Sequence, residues 1–238
     1  MMTSRIEKGL SSLGLTGKIP AQAAGQLAEY GRLLLEKNQV MNLTAITDPD
    51  QVADLHMLDC AALLNYVNFQ GKTLIDVGTG AGFPGMVLKI LVPSLEITLL
   101  DSLQQRLDWL DEVIAALGLE KIRTVHGRGE ELSHDPAFRQ NFDFASARAV
   151  AELRTLSELC LPYVRPGGQF LAMKSVASDE EQTAAVKAVR TLGGGEASVF
   201  DYVIPGTDVS HRLLAIPKNA GTPKHYPRRW AKIQKSPL

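Results

Sequence analysis

Four glycines fall within the eight residues from Gly78 to Gly85, directly after the short run Leu74-Ile75-Asp76-Val77. That order reads as a buried strand carrying an acid, then a loop almost free of side chains, then a helix start. Such a loop lets a flat cofactor lie against bare backbone, with amide N–H groups beside it. A second acid, Asp101, stands nineteen residues after Gly82 at the end of the next apolar run. A carboxylate there can receive both hydroxyls of a ribose through charge-assisted hydrogen bonds. Its competing role is plain negative charge at a helix N-terminus beside Ser102, worth under about 1 kcal/mol.

Gly80-Ala81-Gly82-Phe83-Pro84-Gly85 carries the dinucleotide fingerprint. A nicotinamide enzyme and an S-adenosylmethionine enzyme both need a bare loop and a ribose-binding acid, so the string alone does not separate them. Three features favour S-adenosylmethionine. Asp76 precedes the first glycine, where a carboxylate suits the cationic amino group of methionine and would repel a pyrophosphate. The chain has no second substrate domain. No tyrosine is followed four residues later by lysine, so one common hydride-transfer arrangement is missing. Glu130 follows the third strand and a glycine turn, where an adenine edge would lie; it equally suits a helix start.

The end of the fourth strand should face the transferred methyl, and it reads Ser146-Ala147-Arg148-Ala149. It lacks the Asn or Asp followed by two prolines and an aromatic that serves exocyclic amines. It supplies no acid to deprotonate a ribose hydroxyl. Carbon methylation of a pyrimidine needs a thiolate, yet Cys160 lies on an apolar stripe and Cys60 has no adjacent base. A ring nitrogen with a free lone pair, such as guanine N7, needs no base, and proximity and alignment suffice. No catalytic residue and no metal are therefore expected. Arg148 could bond the O6/N7 edge of guanine or orient the cofactor carboxylate. The cofactor-side role is preferred, because its charge disfavours a cationic product.

The elements that must position these residues alternate. Residues 1–70 read as a helical extension, with Leu27, Tyr30 and Leu34 at helical spacing. Asp48-Pro49-Asp50-Gln51 is a helix start, and the helix it opens carries Val52, Leu55, Leu58 and Ala62. His56 and Asp59 lie one turn apart on it; they could contact the substrate or close the site, but a helix–core hydrogen bond is the simpler reading. Residues 71–217 alternate strand and helix. Strands are expected at Thr73–Val77, Glu96–Leu100, Ile122–His126, Phe142–Ala147, Gln169–Lys174, Ala197–Ile204 and Arg212–Ile216. Capping boxes are expected at Ser102/Gln105 and Ser178/Glu181, and an apolar stripe runs Leu103, Leu107, Leu110, Ile114, Leu117. The last two strands are joined by a turn at Pro205-Gly206, which permits only antiparallel pairing. The fold class is α/β, a mostly parallel seven-stranded Rossmann-like sheet with helices on both faces. Ligands then sit at the carboxyl ends of its strands.

With 238 residues, 45% apolar and 21% charged, the chain can bury a full core. It has no apolar run of membrane-spanning length and no long apolar segment at its start, so a cytoplasmic protein is expected. Two cysteines make neither a disulfide framework nor a metal cluster. Charge is uneven: residues 218–238 hold six basic side chains and no acid, leaving the rest at −7. An acidic body with a basic end suits contact with a polyanion, and equally a solvated terminus.

The residues together resemble the bacterial glucose-inhibited-division protein B family, the small-subunit ribosomal RNA methyltransferases G. The likeness rests on Met41-Asn42-Leu43-Thr44-Ala45-Ile46, the Asp76–Gly85 loop, Leu99-Leu100-Asp101-Ser102, and Ser146-Ala147-Arg148-Ala149-Val150-Ala151. Pro166-Gly167-Gly168 through Lys174 and Lys224-His225-Tyr226-Pro227-Arg228 add to it. Gly129 stands where the family usually has alanine, and Ser175 where it usually has glycine. The resemblance implies a class I S-adenosylmethionine-dependent methyltransferase acting on N7 of one guanine in the 530 loop of 16S ribosomal RNA. It implies cofactor contacts at Gly78, Phe83, Asp101, Gly129, Glu130 and Arg148. It also makes the basic end, through Lys218, Lys224, Arg228, Arg229 and Lys232, a surface for RNA or the small ribosomal subunit, with Tyr226 and Trp230 available for stacking. A monomer is the expected state. Two rival readings are a nicotinamide-dependent oxidoreductase and a non-catalytic RNA-binding protein on the same fold.

Overall fold

The structure, a computed structural model, describes residues 1–148 and 151–238. Its centre is one seven-stranded sheet: β1 (Thr73–Val77), β2 (Glu96–Asp101), β3 (Ile122–His126), β4 (Phe142–Arg148), β5 (Val164–Ser175), β6 (Ser198–Val203) and β7 (Ser210–Pro217). The spatial order is β3-β2-β1-β4-β5-β7-β6. Neighbours from β3 to β5 pair parallel, while β7 runs antiparallel to both β5 and β6. All seven expected strands are present, with ends shifted by a few residues. The largest shift is at β5, which starts at Val164 because Phe142 of β4 pairs with Val164 across an irregularity in the ladder.

The helices are α1 (Met2–Ser12), α2 (Ala23–Met41), α3 (Pro49–Val52), α4 (Asp59–Ala61), α5 (Gly85–Leu91), α6 (Gln104–Ala116), α7 (Gly129–Leu132), α8 (Leu153–Cys160), α9 (Asp179–Thr191) and α10 (Trp230–Lys235). One face of the sheet is covered by α1, α2, α5 and α6, where Leu27, Tyr30, Leu34, Leu107 and Leu110 are buried as their spacing predicts. The other face is covered by α8 and α9 around Leu156, Cys160, Tyr163 and Ala185.

Asp48 caps α3 as its sequence predicts, accepting from the Gln51 amide at 2.9 Å, with Pro49 following it. The helix it opens is not regular. It passes through a π-helical segment, Ala53–Leu58, into α4 and a 3-10 turn at Ala62–Asn65. The two expected capping boxes are absent. Asp101 takes the Leu103 amide at 2.9 Å, so α6 starts at Gln104 and Leu103 is left exposed. Glu181 turns away from Ser178 to meet Lys174 at 2.5 Å and the Leu153 amide. At α9 a charged donor outweighs the local capping bond, and at α6 one local bond, from the Leu103 amide to Asp101 two residues before it, stands in place of another.

Residues 218–238 are packed rather than solvated. Arg139 donates to the carbonyls of Thr222, Pro223 and Tyr226, and His134 approaches the Pro227 carbonyl at 2.9 Å. Ile233 is fully buried against the α8 side, with Tyr226 and Trp230 beside it.

Candidate functional site

A cavity of about 550 Å³ opens at the carboxyl ends of β1 to β4. That volume is in the range of a cofactor site. The sheet order sets its contents from one side to the other. Gly129 and Glu130 follow β3, Asp101 ends β2, Gly78 to Ala81 and Phe83 follow β1, and Arg148 ends β4; all line the cavity. The six residues expected to touch a cofactor thus share one wall system. Leu43, Thr44, His56 and Trp230 line it as well, and none of them was assigned a cofactor role from sequence.

The glycine loop takes its shape from backbone freedom and from one buried acid. Gly78, Gly80 and Gly82 have positive φ angles of 69°, 58° and 93°, which side chains other than glycine seldom adopt. At Gly82 a Cβ would also lie 2.6 Å from the Tyr30 hydroxyl and from Met86. Asp76 is fully buried and accepts from the Thr79 hydroxyl at 2.6 Å, the Ser146 hydroxyl at 2.8 Å and the Gly85 amide at 3.1 Å. Burial pushes its carboxyl above the ordinary value, and those three donors oppose the shift. Asp76 therefore does not face the cavity. The expectation that it meets the methionine amino group is corrected: its oxygens are used to tie β1, the loop and β4 together. Tyr30, given by the sequence only as a residue at helical spacing, adds a tether from α2 by donating to the Ala81 carbonyl.

Asp101 is 4% exposed, and each of its oxygens already accepts one amide, from Gly80 and Leu103, both at 2.9 Å. A carboxylate has about four acceptor positions, so capacity remains for two hydroxyls. Glu130 stands on the far side with Arg128 at 3.6 Å. Gly129 presents backbone there, and its carbonyl takes the Tyr163 hydroxyl at 2.6 Å. An added Cβ on Gly129 would meet Val77 at 3.2 Å, so the alanine usual at this place needs only a small shift. Glycine backbone bare of side chains, acids after the adjacent strands β2 and β3, and apolar Val77, Leu100 and Leu159 fit an adenosine-bearing cofactor. Among the described residues no group of His, Cys, Asp or Glu is placed to hold a metal ion.

At the β4 end, Arg148 is held on several sides. It donates to Asp59 at 3.2 Å, to the Leu55 carbonyl at 3.1 Å and to His56 Nδ1 at 2.9 Å, and its guanidinium lies 4.9 Å from the centre of the Phe83 ring. The His56 ring also stacks on Phe83, with 4.6 Å between ring centres. Burial and the Arg148 charge lower the His56 pKa to about 4, so its ring is neutral. Behind it, buried Asp59 also accepts from Tyr202 at 2.8 Å and meets His211 Nδ1 at 2.9 Å. The simpler reading of His56 and Asp59, hydrogen bonds between helix and core, matches this network, although His56 also reaches the cavity wall. Ala149 and Val150, part of the segment that carried the resemblance, lie outside the described residues.

Two of the five basic residues expected to meet RNA do not face outward. Lys218 is 1% exposed, and its ammonium donates to the carbonyls of Leu161 and Leu192 at 2.7 and 2.9 Å and to Thr222. Burial lowers its pKa to about 7. Arg228 is spent on Glu158, a fully buried acid, with bonds of 2.8 and 2.6 Å. Each neutralises or satisfies groups inside the fold, which proximity in sequence to other cations could not reveal. Lys224, Arg229 and Lys232 are exposed, and Trp230 among them reaches the cavity.

A family model described as GidB, rRNA small subunit methyltransferase G, matches residues 23–204. A curated ribosomal RNA small subunit methyltransferase G from Clostridium botulinum is 45% identical over 214 residues, 90% of each chain. One from Alkaliphilus oremlandii is 43% identical over 227 residues, 94% of this chain and 95% of its own. Among solved structures, TrmN from Thermus thermophilus aligns with a TM-score of 0.52 at 20% identity, over 67% of this chain and 48% of that one. A SAM-dependent O-methyltransferase from Thermotoga maritima aligns with a TM-score of 0.53 at 15% identity, over 80% and 73%. These two likenesses concern the fold, which is that of class I S-adenosylmethionine-dependent methyltransferases. The glycine loop, the strand-end acids and the extent of the family match agree, and the chain belongs to the rRNA small subunit methyltransferase G family.

Proposed function

We infer that this protein transfers a methyl group from S-adenosylmethionine to N7 of a guanine in the 530 loop of 16S ribosomal RNA. The observation that carries the N7 reading is the β4 end of the cavity. There the lining side chains are Arg148, a neutral His56, Thr44, Leu43 and Phe83, with no carboxylate among the described residues. His56 Nδ1 already accepts from Arg148, and its low pKa makes it a poor base. A site without a free base suits an acceptor that brings its own lone pair.

When bound, S-adenosylmethionine supplies a methyl group activated by a sulfonium. Asp101 would hold the ribose hydroxyls, Glu130 and the Gly129 backbone the adenine, and the loop from Gly78 the methionine portion. Arg148, pinned by Asp59 and stacked on Phe83, would bond the methionine carboxylate. Phe83 and Leu43 line the cavity and would shield the acceptor, which leaves alignment of the nitrogen lone pair as the main contribution. The exposed Lys224, Arg229 and Lys232, together with Trp230 at the rim, would bind the RNA phosphates and a stacked base.

The test is 16S RNA from cells lacking the chain, digested and weighed, with and without the chain restored. The expected result is one methyl missing from a single guanine of the 530 loop and returned on restoration. An unaltered loop in the deletion would reject the assigned target. Binding of NAD in place of S-adenosylhomocysteine would favour the oxidoreductase instead.

A further inference from the structure

The hydrogen bonds around His56 leave one polar group with a forced direction. Arg148 can only donate, so the 2.9 Å contact from its Nη2 makes His56 Nδ1 an acceptor. The Leu55 carbonyl, 3.2 Å from the same nitrogen, already receives Arg148 Nη1 at 3.1 Å. The neutral ring therefore carries its proton on Nε2. Nε2 lies 2.8 Å from the Thr44 hydroxyl and donates to it. The Ile46 amide donates to that same oxygen at 3.1 Å. Both lone pairs of Thr44 Oγ1 are then engaged. Its proton has no acceptor among the described residues, and Thr44 lines the cavity.

We propose that Thr44 reads the acceptor base: its hydroxyl is a fixed hydrogen-bond donor that takes the six-position carbonyl oxygen of guanine and selects guanine over adenine. The proposal rests on the N7 reading above and names the group that would make it specific. Thr44 is joined through His56 to Arg148 at the end of β4, two strands away from Asp101 on β2 and three from Glu130 after β3, so it belongs to the acceptor side rather than the adenosine side. Guanine O6 is adjacent to N7 on the same edge and is an acceptor, whereas adenine presents an amino donor there. A donor that cannot turn into an acceptor meets the first and repels the second. It also leaves the N7 lone pair free, which a donor aimed at N7 itself would not. Asp59, Arg148 and His56 act in this scheme as positioning residues, since they set the tautomer that sets the hydroxyl.

The test uses the whole protein and small subunits reconstituted with 16S RNA bearing either guanine or 2-aminopurine at the methylated position. 2-Aminopurine keeps N7 and lacks O6. The wild-type protein is expected to methylate guanine about 10-fold to 100-fold faster in kcat/KM, the worth of one hydrogen-bond donor left unpaired. Thr44→Val should lose that factor on guanine, lose little on 2-aminopurine, and keep its affinity for S-adenosylhomocysteine. Thr44→Ser should restore the preference. Equal losses on both bases, or weaker cofactor binding with the guanine preference intact, would overturn the assignment. The wild-type comparison needs no variant, so a folding defect in Thr44→Val cannot mask an absent O6 preference, which would also overturn it. Failure of the wild-type protein to modify guanine would reject the N7 reading itself, and this proposal with it.

Discussion

Individual acids in this site divide into those with acceptor positions left open and those consumed by the fold. Asp101 keeps unused acceptor positions on the cavity wall, whereas Asp76 spends its oxygens on Thr79, Ser146 and Gly85. Asp101→Ala should therefore weaken S-adenosylhomocysteine binding by about 30-fold, the worth of charge-assisted bonds near 2 kcal/mol; calorimetric titration reads it directly. Asp76→Ala should instead lower stability by about 3 kcal/mol or more, because it leaves buried donors without a partner. Chemical denaturation checks that value, and a variant as stable as the wild type would contradict the tethering role. The sequence located both acids but could not tell them apart by role. Each lies in an apolar strand, and the tertiary bond that helps to consume Asp76 comes from Ser146, seventy residues away. Thr44 and Trp230 were legible only as members of the resemblance and of the basic end. Their approach to the cavity depends on how α2 and the C-terminal segment fold back.

Elements were legible where periodicity is set by burial and illegible where a tertiary partner competes with local chemistry. The strands follow from apolar runs closed by glycine and acid, and all seven appear. The capping box at α9 is absent because Glu181 meets Lys174; the one at α6 is absent for a local reason, the Leu103 amide bonding to Asp101. The π-helical segment after α3 carries no sequence signal, yet it brings His56 and Asp59 both to Arg148. π-Segments inside helices often occur at functional sites, and this one holds a histidine in its neutral form. A pKa lowered from 6.5 to about 4 means that the folded state resists protonation there. The stability this gives is complete above pH 6.5 and is lost as pH falls toward 4. From pH 7 to pH 5 the loss from this group is about 2 kcal/mol. His56→Gln should remove that part of the pH dependence, seen as a smaller gap between denaturation midpoints at the two values. His211, raised by its bond to Asp59, acts with the opposite sign: its contribution is present below pH 6.5 and fades as pH rises through its raised value. An identical pH response in wild type and His56→Gln would contradict the neutral-histidine network.

Across the whole molecule, the charge asymmetry read from sequence is real but is only partly a surface property. Residues 218–238 close the α8 side of the core through Ile233, Lys218 and the Arg228–Glu158 pair. Deleting this segment would expose that core, so it cannot separate RNA binding from folding. Replacing exposed Lys224, Arg229 and Lys232 together by glutamine is the clean test. Stability should be unchanged, small-subunit affinity should fall, and the salt dependence of binding should flatten by roughly one unit of log–log slope per lost phosphate contact. Unchanged affinity would leave the basic end a structural cover alone.

The central claim is tested most directly by reacting the purified protein with small subunits from cells that lack it, using S-adenosylmethionine labelled in the methyl group, and identifying the labelled nucleoside. The account predicts label in 7-methylguanosine within the 530 loop. Label in any other nucleoside, or none on an intact substrate by protein that binds S-adenosylhomocysteine, would contradict it.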